Sequence, residues 1–252
     1  MNRQSKPDKY AAEKKEIIAV FHDNKGRYGY RRITMALRQQ GFGVNHKTVQ
    51  RLMRELGLVC HVRMKKYRSY KGEVGRIAPN LLDRNFEAAK PNMKWVTDVT
   101  EFSLFGQKLY LSPILDLCSR DIVSYALTER PVLSMVTEML HSAFEKIPDG
   151  TKLILHSDQG WQYQHKQYQR LLQNKGIRQS MSRKGNCLDN AVIENFFGIL
   201  KSELLYLQTF DSMDHFKSEL IDYLDYYNNR RIKVDLKGLS PAFHRDQALS
   251  VA

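Results

Sequence analysis

The sequence predicts a mixed α/β body preceded by a small all-α head, and two observations carry that expectation. The first is charge. Residues 1–76 hold 19 Lys/Arg against 6 Asp/Glu, a net of +13, whereas residues 77–252 hold 21 of each and are neutral. The second is a change of pattern at Trp95, from helical spacing of apolar residues to short runs rich in β-branched and aromatic residues separated by turn residues. A neutral body with a basic head is the footprint of a nucleic-acid binder. The 252 residues are enough chain for a real core. No apolar run approaches the ~18–20 residues a membrane span needs. The polar start, MNRQSKPDKYAAEKKE, lacks the apolar core of a signal peptide. A cytoplasmic protein with no membrane partner is expected. Cys60, Cys118 and Cys187 are odd in number and widely separated, with no C-x-x-C pair, so reduced thiols are expected rather than zinc or disulfides.

In the head, residues 9–22 read as a helix grouping Ile17, Ile18, Val20 and Phe21, and DNKGRYGY breaks it. A second helix fits Tyr30–Gln40, with Ile33, Ala36 and Leu37 at helical spacing, and GFGV turns the chain. Asn45 is a good N-cap for a third helix, HKTVQRLMRELG, which stops at Gly57. Its inward face is Val49, Leu52, Met53 and Leu56. Lys47, Gln50, Arg51 and Arg54 face outward. Helix, short turn, helix is the pattern of a helix-turn-helix, whose second helix enters the major groove. Gln and Arg suit base edges and Lys suits phosphates. HVRMKKYRSYKGEVGR then reads as a basic linker with tyrosines available to stack on bases.

In the body, WVTDVTEF, KLYLSPILDL and DIVSYALT read as three strands of an antiparallel meander. A helix over Ser134–Lys146 follows, then a short buried strand, TKLILHS, and a loop, DQGWQYQH. The helix KQYQRLLQNKG, the strand IRQSMS, a polar loop and an apolar helix over Asn190–Leu205 complete a β-β-β-α-β-α-β-α order. A last amphipathic helix is expected near Ser212–Tyr227, followed by the basic stretch NNRRIKVDLKG.

Two carboxylates sit in unusual places. Asp98 falls mid-strand in WVTDVT, where Asp is disfavoured. Asp158 follows the end of the LILHS strand, a common position for functional residues in α/β folds. Each alone is also compatible with a bulge, turn or cap. Glu194 is the third. At 100° per residue, Val192, Ile193, Phe196, Ile199 and Leu200 form a core stripe on its helix, and Glu194 points the other way with Phe197, Gly198 and Lys201. Gly198 leaves room for a backbone or ligand to approach. His156 and Gln159 flank Asp158, Asp189 sits where an N-cap belongs, and Asp116 is expected to pair with Arg120 across a turn.

These stretches together resemble a known family. WVTDVTEF, LYLSPILDLCSRDIVSY, LILHSDQGWQY, SMSRKGNCLDNAVIENFFGILKSE and YYNNRR are similar to the second-reading-frame catalytic protein of bacterial insertion-sequence transposases, which share a core with retroviral integrases and ribonuclease H. YGYRRITMALRQQGF and NHKTVQRLMRELGL match that family's helix-turn-helix region. Asp98, Asp158 and Glu194 occur in order with 35 residues between the last two, and Lys201 stands seven residues after the Glu.

The resemblance implies an RNase H-like core with a mixed five-stranded sheet flanked by helices. Its divisions would be a helix-turn-helix-like domain at 1–60, a basic linker at 61–92, the core at 93–232 and a tail at 233–252. It implies that Asp98, Asp158 and Glu194 are catalytic and hold two Mg²⁺ (or Mn²⁺) ions, with Asp98 bridging both. The activity implied is cleavage at DNA element ends and 3′-hydroxyl strand transfer. The partners implied are double-stranded DNA (element ends and target), further copies of the chain on DNA, and an upstream first-frame protein or fusion, in a bacterial nucleoid. Residues 1–26 hold no sustained heptads. Arg183, Lys184 and Lys201 join Lys47, Gln50, Arg51 and Arg54 as expected DNA contacts, and Asn228 and Arg231 either contact DNA or fix the last helix. Two other readings stand beside this one: a DNA-binding regulator with a non-catalytic core, and a nuclease that cleaves without joining.

Overall fold

The computed structural model describes residues 8–62 and 77–250. Most of the basic stretch expected as a linker, residues 63–76, lies outside the described residues. The chain divides into two units, Met1–Arg63 with Ile232–Leu239, and Met64–Arg231 with Ser240–Ala252.

The first unit is three helices, α1 (Ala11–Asp23), α2 (Tyr30–Gln39) and α3 (His46–Glu55). Their facing stripes close over Ile17, Val20, Phe21, Ile33, Leu37, Val49, Leu52 and Met53, all buried. Ile18, grouped with the core from sequence, is 39% exposed because it falls between the turns that face inward. Asn45 caps α3 as expected, its side chain accepting from the Lys47 N–H at 3.0 Å. At the other end Gly57 takes φ +68°, and its N–H and that of Leu58 reach the carbonyls of Arg54 and Met53. Residues 232–239 belong to this unit through Ile232 N–H, which donates to Tyr28 Oη at 2.9 Å, and Gln39 Nε2, which donates to the Gly238 carbonyl at 2.7 Å.

The second unit is built on one sheet with strands β1 (Lys94–Thr97), β2 (Thr100–Leu104), β3 (Gln107–Asp116), β4 (Ile122–Thr128), β5 (Ile154–Ser157) and β6 (Arg178–Met181). β1 and β2 pair with successive parts of β3, Thr97 opposite Ile114 and Thr100 opposite Leu111, so they occupy a single position in the sheet. β4 covers the other edge of β3, while β5 joins β1 and β6 joins β5 in parallel. The result is a five-position mixed sheet.

Helices α4 (Leu133–Phe144) and α6 (Lys166–Lys175) close the main core, where Trp95, Ile114, Met139, Leu140, Leu155, Tyr168 and Leu172 are buried together. Strand alternation turns the intervening residues of β2 and β3 the other way, toward α8 (Met213–Asn229), where Phe102 meets Phe216 at 5.0 Å. In the chain, the short α5 (Trp161–Gln164) precedes α6, and α7 (Ala191–Leu200) follows β6. A one-turn 3₁₀ segment, Cys187–Asn190, precedes α7, and a π-helical turn, Lys201–Leu205, follows it. The last helix, α9 (Pro241–Ser250), is pinned by Arg245, which reaches Asp121 at 3.3 Å and Asn92 at 2.8 Å. No helix among the described residues is long and apolar enough to cross a membrane.

Candidate active site

Asp98 is not within a strand. It occupies, with Val99, the two-residue break between β1 and β2. Its Oδ1 accepts the Val99 N–H at 2.7 Å, a local bond that competes with the ladder and ends β1. β1 and β5 run parallel with Val96 opposite His156. Two residues further along each chain stand Asp98 and Asp158, just past the carboxyl ends of neighbouring parallel strands. Adjacent strands are about 4.8 Å apart, so this register alone brings the two carboxylates together. Gly160 makes the Asp158 loop possible: its N–H donates to Asp158 Oδ1 at 2.8 Å, and a Cβ there would stand 2.9 Å from the same oxygen.

Glu194 lies on the first turn of α7, partly exposed, and Asp158 acts on it electrostatically. Burial, the charge of Asp158 and then that of Glu194 push the Asp98 carboxyl well above the ordinary carboxylate range, against the pull of the Val99 N–H and of Lys201. Burial raises Asp158, partly offset by the Gly160 N–H, and burial followed by the charge of Asp158 raises Glu194. Lys201 begins the π-helical turn, with its ammonium 5.6 Å from the centre of the Phe102 ring. Burial lowers its pKa, while Glu101 and Asp98 oppose the change. The buried Tyr163 phenol feels both aspartates, and burial and their charges push it well above its usual value. Asn190, immediately before α7, donates from Nδ2 to Asp98 Oδ2 at 3.3 Å.

The site thus gathers excess negative charge with little compensation. As the side chains stand, no three His, Cys, Asp or Glu residues among those described form a set that could hold a metal ion. The donor chemistry nevertheless fits a hard divalent cation: carboxylate oxygens, mutually repelling, in partly desolvated positions.

The α7 stripe differs from the wheel in one respect. Phe197 is buried with Ile193, Phe196 and Leu200, whereas Val192 and Ile199 are only partly so. Gly198 does face open space, since an added Cβ would meet nothing within 4 Å. Asp189 is not an N-cap. Fully buried, it accepts from Arg183 Nε at 2.8 Å and Nη2 at 2.9 Å, from the Arg183 N–H, from Arg84 Nε and from Asn80 Nδ2. The Arg183 guanidinium holds its pKa well below the carboxylate range. His156 is buried and neutral, with Nδ1 2.8 Å from Ser180 Oγ and burial lowering its pKa to about 4. Gln159 donates to the Ser182 carbonyl. Asp116 is tied by Asn92, Trp95, Cys118 and Ser119 rather than by the Arg120 side chain.

Comparison with known proteins places the chain in a family. The chain is 56% identical over 243 residues to transposase InsK, assigned to insertion sequence element IS150 of Escherichia coli (strain K12), covering 96% of this chain and 86% of the relative. The chain belongs to the insertion-sequence transposases. It is also 36% identical to the transposase for insertion sequence element IS904 of Lactococcus lactis, covering 94% of this chain and 96% of that one. The integrase core domain family matches residues 88–187, which contain Asp98 and Asp158, and a second integrase core family matches residues 194–249, which open on Glu194. An HTH-like domain family matches residues 8–66. A chain of the simian T-cell lymphotropic virus intasome, solved in complex with PP2A regulatory subunit B56 gamma, shares the fold at 18% identity. Its TM-score is 0.53, over 91% of this chain and 74% of that one. The fold is the RNase H-like fold of integrase cores.

Within the HTH-like unit of this transposase, Lys47, Gln50, Arg51 and Arg54 are all exposed on α3, as the wheel predicts. Arg51 is engaged there, paired with Glu55 and 5.3 Å from the Tyr10 ring centre. Lys184 is exposed, but Arg183 is committed to Asp189. Asn228 bonds both ways with Ile122 of β4, and Arg231 is buried against Glu203, so both fix the region of α8. Sequence reasoning passed over Gly160, Tyr163 and Asn190. The D-x-G triplet and the Asn beside Asp189 were visible in the sequence, but only the fold joins them to Asp98.

Proposed function

We propose that the chain is the catalytic subunit of its transposase. In this reading it cleaves DNA at the ends of an insertion sequence and joins the freed 3′-hydroxyl to a target strand, with Asp98, Asp158 and Glu194 as metal ligands. The observation that supports this most is the register of β1 and β5. It sets Asp98 and Asp158 side by side at adjacent strand ends, with Glu194 close enough to perturb the same protons.

Mg²⁺ or Mn²⁺ held by Asp98, Asp158 and Glu194 would supply Lewis acidity toward the phosphodiester and a lowered pKa for the attacking water or 3′-hydroxyl. The residues of the chain do the rest. The Val99 and Gly160 N–H groups hold one oxygen of each aspartate. Glu194 and Lys201 present opposite charges along one helix and its extension, roughly 10 Å apart by helix rise, a spacing that suits a strand's phosphates. Because the three carboxylates do not stand as a closed ligand set, binding has to draw their side chains inward. The HTH-like unit would bind double-stranded DNA through α3, and the assembly would need several copies and a first-frame partner, in the nucleoid.

The test is a strand-transfer assay on element-end DNA, with the first-frame protein of the same element supplied. Asp98→Asn, Asp158→Asn and Glu194→Gln should each reduce Mg²⁺-dependent nicking and joining to background while DNA binding persists. Nicking and joining that survive these changes would leave a DNA-binding regulator. Cleavage without joining by the wild type would leave a nuclease.

A further inference from the structure

Asn190 stands at the N-cap of α7, where an Asn ordinarily turns its side-chain oxygen onto a free N–H of the first helical turn. Here it makes no such cap bond. The side chain instead reaches across 92 residues of sequence to Asp98, donating from Nδ2 to Oδ2 at 3.3 Å. The residue is 3% exposed, and its Oδ1 is buried with no hydrogen-bond partner. The amide stands with its NH₂ end toward Asp98 and its carbonyl end facing away, the orientation that a metal-holding, ionised Asp98 requires because such a carboxylate only accepts. The fold therefore forgoes a side-chain cap at this position and leaves a buried acceptor, Asn190 Oδ1, without a partner in the protein. Buried polar atoms in native proteins are nearly always paired, so an exception beside a reactive carboxylate points to a missing donor.

The backbone under Asn190 is also held. Its neighbour Asp189 is locked by the guanidinium of Arg183, by Arg84 and by Asn80. Asp98 in turn has its other oxygen, Oδ1, fixed by the Val99 N–H. Asn190 is thus the second of two groups that set the orientation of this carboxylate, and the one that comes from the helix carrying Glu194.

We propose that Asn190 is a positioning residue for Asp98, and that its Oδ1 accepts a hydrogen bond from a water or hydroxyl brought into the site with the divalent cation. This rests on the metal-dependent reading above. It adds that the 3₁₀ turn before α7 couples Asp98 to Glu194, so that the carboxylates of β1 and α7 are oriented as one set.

The experiment uses the full chain without DNA and Mn²⁺ alone as the probe, with bound ion followed by electron paramagnetic resonance and folding by circular dichroism and melting. Asn190→Leu matches the volume without either polar group, and Asn190→Ala removes both with less risk of overpacking. Wild type should bind Mn²⁺ and Asp98→Asn should not. Both Asn190 variants should be folded and bind Mn²⁺ about 10–100-fold more weakly, the loss typical of groups that orient metal ligands. In strand transfer, the Mn²⁺ concentration for half-maximal rate should rise in parallel. Folded variants that bind Mn²⁺ as wild type does would overturn the role of Asn190 and leave the metal reading intact. A wild type whose Mn²⁺ binding is absent, or unaffected by Asp98→Asn, would overturn both.

Discussion

Asp98, Asp158 and Glu194 all hold protons more tightly than free carboxylates do, and the reason is burial together with one another's charge. A carboxylate raised in the folded state contributes stability below its unfolded pKa and loses it as pH rises through the folded one. The ordinary values are 3.8 for Asp and 4.5 for Glu, so the loss begins near pH 4 and continues upward. Asp189 and His156 have depressed pKa values and act in the opposite sense, so the whole-chain profile mixes both signs. Comparing wild type with Asp98→Asn isolates the triad. In EDTA near neutral pH the variant should melt above wild type, the gap should close toward pH 4, and added Mg²⁺ should raise the melting temperature of wild type alone. Thermal scans at several pH values check all three. A second residue-scale outcome concerns Gly160. An Ala there puts a Cβ against Asp158 Oδ1, so Gly160→Ala should depress nicking far more than it lowers the melting temperature.

At the scale of the element, α7 and its continuation explain both what sequence could read and what it could not. A wheel drawn straight through Asn190–Leu205 assumes one α-helix. The chain instead widens after Leu200, where Tyr206 N–H bonds the Lys201 carbonyl five residues back. That turn carries Glu203 inward, against Arg231 at 2.7 Å and Tyr223 Oη at 2.9 Å, with both charged groups almost wholly buried. Arg231→Met would strand the Glu203 charge and should cost about 3–5 kcal/mol. Glu203→Leu combined with Arg231→Met should recover most of that, because two apolar groups need no partner. Urea unfolding of the two variants decides it. The three head helices were legible because periodicity and caps are local: Asn45 and Gly57 end α3 where the sequence says they should. The spacing of Asp98, Asp158 and Glu194 was legible only through family resemblance. The break at Asp98, the burial of Phe197 and Glu203, and the anchoring of Asp189 were not, because each depends on a partner distant in sequence.

For the whole molecule, the segregation of charge sets how DNA affinity should respond to salt. The +13 excess sits entirely in residues 1–76, while the remainder is neutral. Each phosphate neutralised releases counterions, and log K falls with log salt by about 0.9 per contact on duplex DNA. Not every exposed cation contributes equally. Lys47 and Arg54 are exposed on α3, whereas Arg51 is paired with Glu55 and Arg183 is bonded to a buried carboxylate. Lys47→Ala or Arg54→Ala should therefore weaken binding to any duplex and lower the salt slope by about 1 if each meets a phosphate. Arg51→Ala should change the slope less, since its charge is already partly neutralised. Gln50→Ala, by contrast, should leave the slope unchanged and relax preference for element ends, by about 1–3 kcal/mol per base read. Arg183→Ala should leave the slope alone and lower stability, because Asp189 loses its main partner. Fluorescence anisotropy titrations of the full chain over a range of salt concentrations, on element-end and unrelated duplexes, separate these outcomes. A slope that responds to Arg183 but not to Lys47 or Arg54 would move the DNA-binding surface from the basic head to the neutral core.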